Sequence, residues 1–363
     1  MSPLNRRVIH LASGREWRGG QNQVLLLARG LAARQDIEQI VLTGQRTLLE
    51  ARLREAGVPV RAVRWKAGVS LAALAGALAE VVRGPSLLHA HDAHAVTIAG
   101  VAGLLTGSPY LATRRVDFHL RRPALWRRAA RIIAISEAVR RVLISDGVAA
   151  DRIVRVHSGI DLEAVRRTRS GSIRQEVGLP SDAPLAVAVG ALVEHKDHAT
   201  LVAAAAALRD RKPTLHWAIA GEGPLRGALE SQIAAQSLGD RVHLLGQLPE
   251  PLRLIAAAEV FVMSSKEEGL GTSVLDAMAL DVPIAATAAG GIPEMLDPGA
   301  GLLTPPGDGT ALAASVAQIL DDADLRADLI RHAQNRVEHF SATAMAEGVL
   351  SVYRSAAENV DLK

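Results

Sequence analysis

The sequence predicts an α/β protein made of two doubly wound domains, and three observations lead to this fold class. Short apolar runs alternate with helical patterns along most of the 363 residues. The runs are apolar throughout, which is typical of parallel strands that are covered by helices on both faces. The alternation pauses at 165–184 and then restarts, and the net charge changes sign at the same place, so the length is best divided into two domains.

The first half begins with a predicted strand, VIHLA (8–12), followed by a Gly-rich turn and a helix over 21–34. Further strands, separated by Ala- and Leu-rich helical segments, are predicted at IVLT (40–43), VRAV (60–63), SLLHA (86–90), YLAT (110–113) and IIAI (132–135). Ligands of open parallel sheets bind beyond the carboxyl ends of the strands, so the residues after each strand are the functional candidates.

The second half repeats the pattern with strands at LAVAVGAL (185–192), LHWAIAG (215–221), VHLLG (242–246), EVFVMSS (259–265) and VPIAAT (282–287). Helical patterns close the chain at 309–320, 324–338 and 341–358. The segment 165–184 is rich in Ser, Gly, Pro and charge, which is typical of a linker. The predicted domains are therefore 1–165 and 166–340, followed by a terminal helix within 341–363.

The composition excludes several functional classes. The chain has no cysteine, which rules out a disulfide scaffold, a zinc ribbon, an iron–sulfur protein and a thiol nucleophile. Aromatic residues are only 2% of the chain, which argues against an aromatic platform for bases or sugars. The sequence shows no long uncharged apolar run and no signal-peptide pattern, so we expect a cytoplasmic protein.

The two halves carry opposite charge. Residues 1–165 hold 24 Lys and Arg against 13 Asp and Glu, a net of +11, whereas the remainder holds 17 against 25, a net of −8. Nine arginines lie within 113–141. They form either a solvated helix face or a surface for phosphates or anionic lipid, and the scarcity of aromatic residues argues against nucleic acid.

Two candidates follow strands in the first half. Gly19 and Gly20 precede the first helix, where a backbone without side chains either makes a tight turn or approaches an anion. His91 follows SLLHA, beside Asp92, and is either a structural histidine or a group that contacts substrate. For a metal site, no second group of ligands stands at a convincing spacing.

The second half offers more candidates for binding an anion. Lys196 lies in a strand-to-helix loop, where it could act as a point charge for phosphate. The next strand is followed by Gly221, Glu222 and Gly223. In SSKEEGLGTSVLDAMA (264–279), a helix begins near Thr272, so its free amides and positive dipole end would favour an anion.

On these motifs the sequence resembles the retaining glycosyltransferases of the GT-B fold, specifically family 4. Six ordered segments carry the resemblance: the Gly19–Gly20 turn, IAISEAVRR (133–141), VHSGID (156–161), VGALVEHKD (189–197) with AGEGPLR (220–226), VHLLGQLP (242–249), and EEGLGTSVLDAMA (267–279). The last segment is similar to the family's pair of acidic residues separated by seven positions. The resemblance implies two Rossmann-like domains that face a central cleft, with the terminal helix packed back on the first domain.

The resemblance also implies a role for each matched position. The first domain would bind the acceptor, and the second would bind the nucleotide-sugar donor. Glu268 would face the transferred sugar, Lys196 would hold the diphosphate, and His91 would lie near the reacting centre. Contacts to the donor would come from Gly19, Gly20, Gly190, Gly221, Glu222, Gly223, Leu270, Gly271, Thr272 and Asp276.

The chain departs from the family pattern at two positions. The family usually has Arg two residues after the strand glycine of the lysine motif, whereas Gly190 is followed here by Ala191 and Leu192. A cation from the first half, Arg18, Arg114 or Arg115, is a candidate to replace it. The second acidic residue is Asp276, which is one methylene shorter than the usual Glu.

The implied function is retaining sugar transfer from a nucleotide-diphosphate sugar to a glycan or lipid-linked acceptor in cell-envelope biosynthesis, such as lipopolysaccharide or polysaccharide. No metal or other cofactor is expected, because amides and Lys196 can stabilise the leaving diphosphate. The basic half favours an anionic acceptor and contact with the inner face of the cytoplasmic membrane, and no nucleic acid partner is expected. Two alternatives stay open: a nucleotide-sugar epimerase of the same fold, and a non-catalytic nucleotide-sugar-binding subunit.

Overall fold

The computed structural model describes residues 6–34, 36–65 and 70–361, and the chain divides into two compact units. Unit 1 comprises Met1–Gly159 together with Ser341–Lys363, and unit 2 comprises Ile160–Phe340. The boundary lies six residues before the predicted one at 165. The backbone N–H of Ile160 donates to the carbonyl of Phe340 at 2.9 Å, which joins the two ends of unit 2. The predicted linker, 165–184, belongs to unit 2 and is not the join between the units.

Unit 1 is built on a seven-stranded parallel sheet. Its strands, in chain order, are β1 (Arg7–Ala12), β2 (Gln39–Gly44), β3 (Val60–Val63), β4 (Ser86–Ala90), β5 (Tyr110–Arg114), β6 (Arg131–Ala134) and β7 (Ile153–Arg155). The order across the sheet is β3-β2-β1-β4-β5-β6-β7, so the winding direction reverses between β1 and β4. In the register of that central pair, Ile9 lies beside Leu88.

Helices cover both faces of this sheet. They are α1 (Gly19–Ala32), α2 (Leu48–Glu55), α3 (Leu71–Val81), α4 (Ala93–Thr106), α5 (Pro123–Arg128), α6 (Glu137–Ser145) and the last helix, α16 (Ala342–Asp361). Helix α16 packs on α1 and β6, and its buried residues join one apolar cluster with Leu27, Leu31 and Ile133. The final helix of the chain is thus part of the core of unit 1.

Unit 2 repeats the design with six parallel strands. They are β8 (Leu185–Val189), β9 (His216–Ala220), β10 (Val242–Gly246), β11 (Val260–Met263), β12 (Ile284–Thr287) and β13 (Leu302–Thr304). The order is β10-β9-β8-β11-β12-β13, which reverses between β8 and β11. The helices are α7 (Leu162–Arg166), α8 (Ile173–Glu176), α9 (His198–Leu208), α10 (Arg226–Ala235), α11 (Pro251–Ile255), α12 (Thr272–Ala279), α13 (Ile292–Leu296), α14 (Gly309–Asp321) and α15 (Ala323–Val337).

The predicted fold class of two doubly wound α/β domains is confirmed, with local corrections. Gly19 and Gly20 do not precede α1; they are its first two residues, because the backbone N–H of Arg18 is capped by the Gln21 side chain at 3.2 Å. Strands β7 and β13 are not predicted from the sequence, since each is only three residues long. Among the described residues, no helix combines the length and the hydropathy that crossing a bilayer requires.

Candidate active site

The winding reversal of unit 2 brings two loops together. Because β8 and β11 are neighbours, the segments that follow them, 190–198 and 264–271, meet at the carboxyl edge of the sheet. The backbone N–H of Lys266 donates to the carbonyl of His195 at 2.8 Å. The Ser264 hydroxyl donates to the carbonyl of Lys196 at 3.1 Å. These bonds fix each loop against the other.

The side chains of Lys196 and Glu268 form an ion pair between those loops. Lys196 Nζ donates to Glu268 Oε2, and the two side chains are only 18% and 13% exposed. The hydroxyl of Ser265 lies 3.3 Å from the same carboxylate oxygen. The sequence predicts separate roles for Lys196 and Glu268, but it predicts neither their contact nor the part of Ser265.

The N-terminus of α12 lies beside this ion pair. Gly271 is its N-cap, with φ of +89°, a backbone conformation that favours glycine, and no side chain caps the helix. Leu270 is buried, and the backbone of Gly290 packs so closely on the carbonyl of Glu268 that a β-carbon would overlap it. The segment that carries Glu268 is therefore rigidly held, with the uncapped helix start at Thr272 next to it.

Asp276 lies one helical turn after Thr272 on α12. The residue is partly buried, and no hydrogen bond or ion pair to its carboxyl group is found among the described residues. Burial raises the pKa of Asp276 to about 7. The carboxyl group is thus poised to gain or lose a proton near neutral pH.

The glycines of the neighbouring loops serve mainly to pack backbone on backbone. A β-carbon at Gly221 would overlap the carbonyl of Gly190, and one at Gly223 would overlap Leu192. The carboxylate of Glu222 pairs with Arg226 at 2.9 Å, and this hydrogen bond lowers the pKa of Glu222. Ala191, next to the position at which the family pattern has Arg, is exposed.

His198, the first residue of α9, is a further residue near this site that the sequence does not predict. Its Nε2 lies 3.3 Å from the carbonyl of Ala191, and its buried Nδ1 has no hydrogen-bond partner among the described residues. Burial lowers the pKa of His198 to about 4, so the ring is neutral at physiological pH. Its position on the loop of Lys196 is the signal that could have identified it.

The predicted residues of unit 1 lie near its own winding reversal, between β1 and β4. Gly19 and Gly20 have open space around them, so a ligand could approach their backbone. The guanidinium of Arg18 is exposed and pairs with Glu16 at 2.5 Å. The guanidinium of Arg114 lies over the ring of Trp126, 5.6 Å from its centroid, and donates to the carbonyl of Phe118.

His91 is part of a buried cluster of three histidines. His10 on β1 and His89 on β4 lie beside it, and His10 Nδ1 is 2.9 Å from His91 Nε2. His89 bonds to the hydroxyls of Tyr353 and Thr113, each at 2.7 Å. Burial lowers the pKa of all three imidazoles, which are therefore neutral at physiological pH.

This cluster corrects the view that His91 has no second ligand group near it. One nitrogen of each ring lies within 4.8 Å of the others, which is compact enough for a metal ion. The donor set fits a cation poorly, however, because the guanidinium of Arg115 stands 3.2 Å from His91 Nδ1 and both nitrogens of His89 are engaged by hydroxyls. The arrangement is better explained as a neutral hydrogen-bonded network.

Comparison with known proteins agrees with this geometry. Residues 17–164 match the family model for Glycosyltransferase Family 4, and residues 170–336 match that for Glycosyl transferases group 1. The chain is 29% identical to the 2-deoxystreptamine glucosyltransferase of Streptomyces kanamyceticus, over 85% of this chain and 92% of that protein. It is 32% identical to the lipopolysaccharide core biosynthesis glycosyltransferase LpsE of Rhizobium meliloti, over 50% of this chain and 53% of LpsE. The matches thus span about half the length of LpsE and of several other relatives.

The fold is shared with solved structures. HepE of Anabaena, solved in complex with UDP and glucose, superposes with a TM-score of 0.84 at 21% identity and covers 96% of this chain and 100% of its own. Both family models are matched in the order of the two units, and named glycosyltransferases align along most of the chain. The chain therefore belongs to the family 4 glycosyltransferases of the GT-B fold.

Proposed function

We propose that the protein transfers a sugar from a nucleotide-diphosphate sugar to an anionic glycan or lipid-linked acceptor, with retention of the anomeric configuration. The observation that carries this proposal is the Lys196–Glu268 pair, which stands beside the uncapped N-terminus of α12 at the winding reversal of unit 2. Such an edge is where open α/β sheets bind their ligands, and a helix start with a lysine beside it suits a diphosphate.

The chemistry follows from the charge that develops as the sugar leaves. When the bond from the anomeric carbon to the phosphate oxygen breaks, the nucleoside diphosphate gains negative charge. The amides at the start of α12 and the ammonium of Lys196 would stabilise that charge without reorganising. We propose that this makes a metal ion unnecessary.

Retention requires the acceptor oxygen to bond to the anomeric carbon on the face that the diphosphate leaves. In this proposal the acceptor hydroxyl passes its proton to the departing phosphate oxygen. Glu268 would accept hydrogen bonds from the sugar's hydroxyls. Its partner Lys196 would then be freed from the ion pair to face the phosphates.

UDP is the proposed nucleotide, because HepE, which shares the fold, was solved with UDP and glucose. We expect UDP-sugars to raise the melting temperature of the protein more than GDP- or ADP-sugars do, since ligands that bind the native state stabilise it. Equal or absent shifts with all three nucleotides would argue against this donor class. Product formation that depends strictly on an added acceptor separates a transferase from an epimerase or a binding subunit.

The site assignment is tested by Lys196→Ala and Glu268→Gln. Each should lower kcat/KM at least about a hundredfold, as expected for removal of a charged group that contacts the transition state. Lys212→Ala is the matched control, because Lys212 belongs to the same unit but precedes β9 and so lies at the opposite edge of the sheet. Near-normal transfer by both site variants would refute the assignment.

The acceptor is proposed to be anionic because of the charge of the first half. Its net charge of +11 would repel a cationic aminocyclitol such as 2-deoxystreptamine, the acceptor named for one relative. It would attract a phosphorylated glycan or a lipid-linked acceptor at an anionic membrane, and LpsE acts in lipopolysaccharide core biosynthesis. We therefore place the protein at the inner face of the cytoplasmic membrane.

A further inference from the structure

The guanidinium of Arg115 is partly buried, and it forms no ion pair with a carboxylate among the described residues. Its Nη1 donates to the carbonyl of His91 at 2.8 Å, and its Nη2 lies 3.2 Å from His91 Nδ1. Its Nε is buried and has no hydrogen-bond partner in the part of the chain that the structure describes. A guanidinium has five N–H donors, so one N–H on each Nη is also unused there.

Other arginines in unit 1 show what is unusual about Arg115. Arg7 pairs with Glu80 at 2.6 Å and Arg354 with Asp36 at 2.8 Å. The Nε of Arg114 is also buried without a hydrogen bond among the described residues, but its guanidinium lies over the ring of Trp126 and donates to the carbonyl of Phe118. Buried charges are normally paired, because their desolvation is otherwise not compensated. The carboxylate of Asp92 attracts the charge of Arg115, but the two form no ion pair among the described residues, so the compensation is only partial.

The acidic residue nearest to Arg115 along the β4 loop is already engaged. The carboxylate of Asp92 accepts from the backbone N–H of Ser13 at 2.7 Å, from the Ser13 hydroxyl at 2.5 Å and from the N–H of Ala95 at 2.9 Å. Burial lowers the pKa of Arg115 to about 10, which still leaves the guanidinium protonated at neutral pH.

The histidine cluster fixes the orientation of the Arg115 guanidinium. Because a guanidinium can only donate, His91 Nδ1 must accept from Arg115, and the proton of His91 then lies on Nε2. His91 Nε2–H donates to His10 Nδ1 at 2.9 Å, so the proton of His10 lies on its own Nε2. The neighbouring Gln39 offers the matching acceptor, since its amide nitrogen donates to the carbonyl of Ala28 and its oxygen has no other partner among the residues described.

This order of protons has a chemical consequence. Both nitrogens of His91 are occupied, so the ring is a neutral support and cannot neutralise the charge beside it. The cation is held in place by His91, while one N–H on each Nη has no partner among the described residues. An oxyanion with two or more oxygens is the ligand that matches a planar fork of N–H groups.

We propose that Arg115 binds a phosphate-type oxyanion of the acceptor at the carboxyl edge of the unit 1 sheet. The proposal rests on the proposed function in one respect: it takes the first unit to be the acceptor-binding one. Nucleotide binding by unit 2 does not depend on it. Donor phosphate is the competing source of the anion, and the experiment distinguishes the two.

The test titrates the purified full-length chain with inorganic phosphate and, separately, with UDP, by isothermal titration calorimetry. Phosphate should bind the wild type and Lys196→Ala alike, and its Kd should rise at least about tenfold in Arg115→Gln. UDP should show the reverse pattern, with Lys196→Ala weakened and Arg115→Gln unchanged. If the wild type binds phosphate but not UDP, the donor site in unit 2 is refuted and this proposal stands.

Two further variants keep the result interpretable. Arg115→Lys retains a cation, so it should keep measurable phosphate binding even if Arg115→Gln folds poorly, and circular dichroism checks the fold of each. Arg64→Gln removes one exposed positive charge elsewhere in unit 1 and should bind phosphate like the wild type. The proposal is overturned if the wild type does not bind phosphate, if folded Arg115→Gln binds it equally well, or if Lys196→Ala is the variant that loses it.

Discussion

At the scale of single residues, the proximity of Lys196 to Glu268 shows what sequence reasoning can and cannot supply. Both residues were found because each follows a buried strand, where ligands bind in this class of sheet. Their contact is not predicted, because it depends on β8 and β11 being neighbours although 70 residues lie between the end of β8 at Val189 and the start of β11 at Val260. The partnership of His10 with His91 is not predicted for the same reason: it arises only when β1 pairs with β4.

Asp276 gives a prediction about pH. Its folded-state pKa of about 7 lies above the usual value of 3.8, so the native state keeps a proton that the unfolded state releases. Stability from this group is therefore full below about pH 3.8 and is lost as pH rises to about 7. Asp276→Asn removes the titrating group, so its stability relative to the wild type should rise between pH 5 and pH 8 by about 1 to 2 kcal/mol, a discounted range because the residue keeps some solvent contact.

This difference can be read from urea unfolding at the two pH values, followed through Trp217, the tryptophan at the core of unit 2. All other titrating groups are common to both proteins, so they cancel when the variant is compared with the wild type. A stability difference that is the same at pH 5 and pH 8 would contradict the raised pKa.

At the scale of elements, the strands were predicted well where burial on both faces made them apolar throughout, as in LAVAV of β8. Strands β7 and β13 were missed because three residues are too few to show a pattern. The start of α1 was placed too late because glycine is a poor helix former, and the hydrogen bonds around Arg18 and Gln21 outweigh that preference.

The contact between α1 and α16 gives a prediction at this scale. A β-carbon at Gly30 would lie 2.9 Å from the β-carbon of Ala346, so the two helices depend on glycine at their closest approach. Gly30→Ala should destabilise the protein by about 1 to 3 kcal/mol, the usual range for overpacking. Adding Ala346→Gly should recover part of that loss, which a double-mutant cycle of unfolding free energies would measure.

Gly227→Ala is the control for this cycle. Gly227 lies in α10, where an added β-carbon would meet nothing within 4 Å. The change should be neutral or stabilising, since alanine favours the helix. If Gly30→Ala changes the free energy of unfolding no more than Gly227→Ala does, the close packing of α1 on α16 is contradicted.

At the scale of the whole molecule, the uneven charge predicts how the protein meets a membrane. Arg121 and Arg122 are exposed and follow the half-exposed ring of Phe118, so cationic and apolar groups occur together in one segment. We expect the protein to sediment with vesicles of equal parts phosphatidylcholine and phosphatidylglycerol at low salt, but not with phosphatidylcholine alone. Salt should weaken the binding, since it screens exposed charges.

The double variant Arg121→Gln/Arg122→Gln should bind these vesicles roughly thirtyfold less tightly, since each lost charge contributes about 1 kcal/mol. Arg64→Gln/Arg211→Gln is the matched control, because it removes the same charge from exposed positions elsewhere. Equal binding by the two double variants would show that net charge alone acts, and absence of binding by the wild type would exclude the membrane contact.

Because α16 completes the core of unit 1, the direction of synthesis also determines which unit finishes folding first. The first 159 residues leave the ribosome early, yet the apolar face that receives Leu350 and Tyr353 stays uncovered until the last helix emerges. Unit 2, whose residues are continuous, can complete its own sheet in the meantime. The segment that is translated first therefore finishes folding last, and it is the one that a chaperone would need to shield.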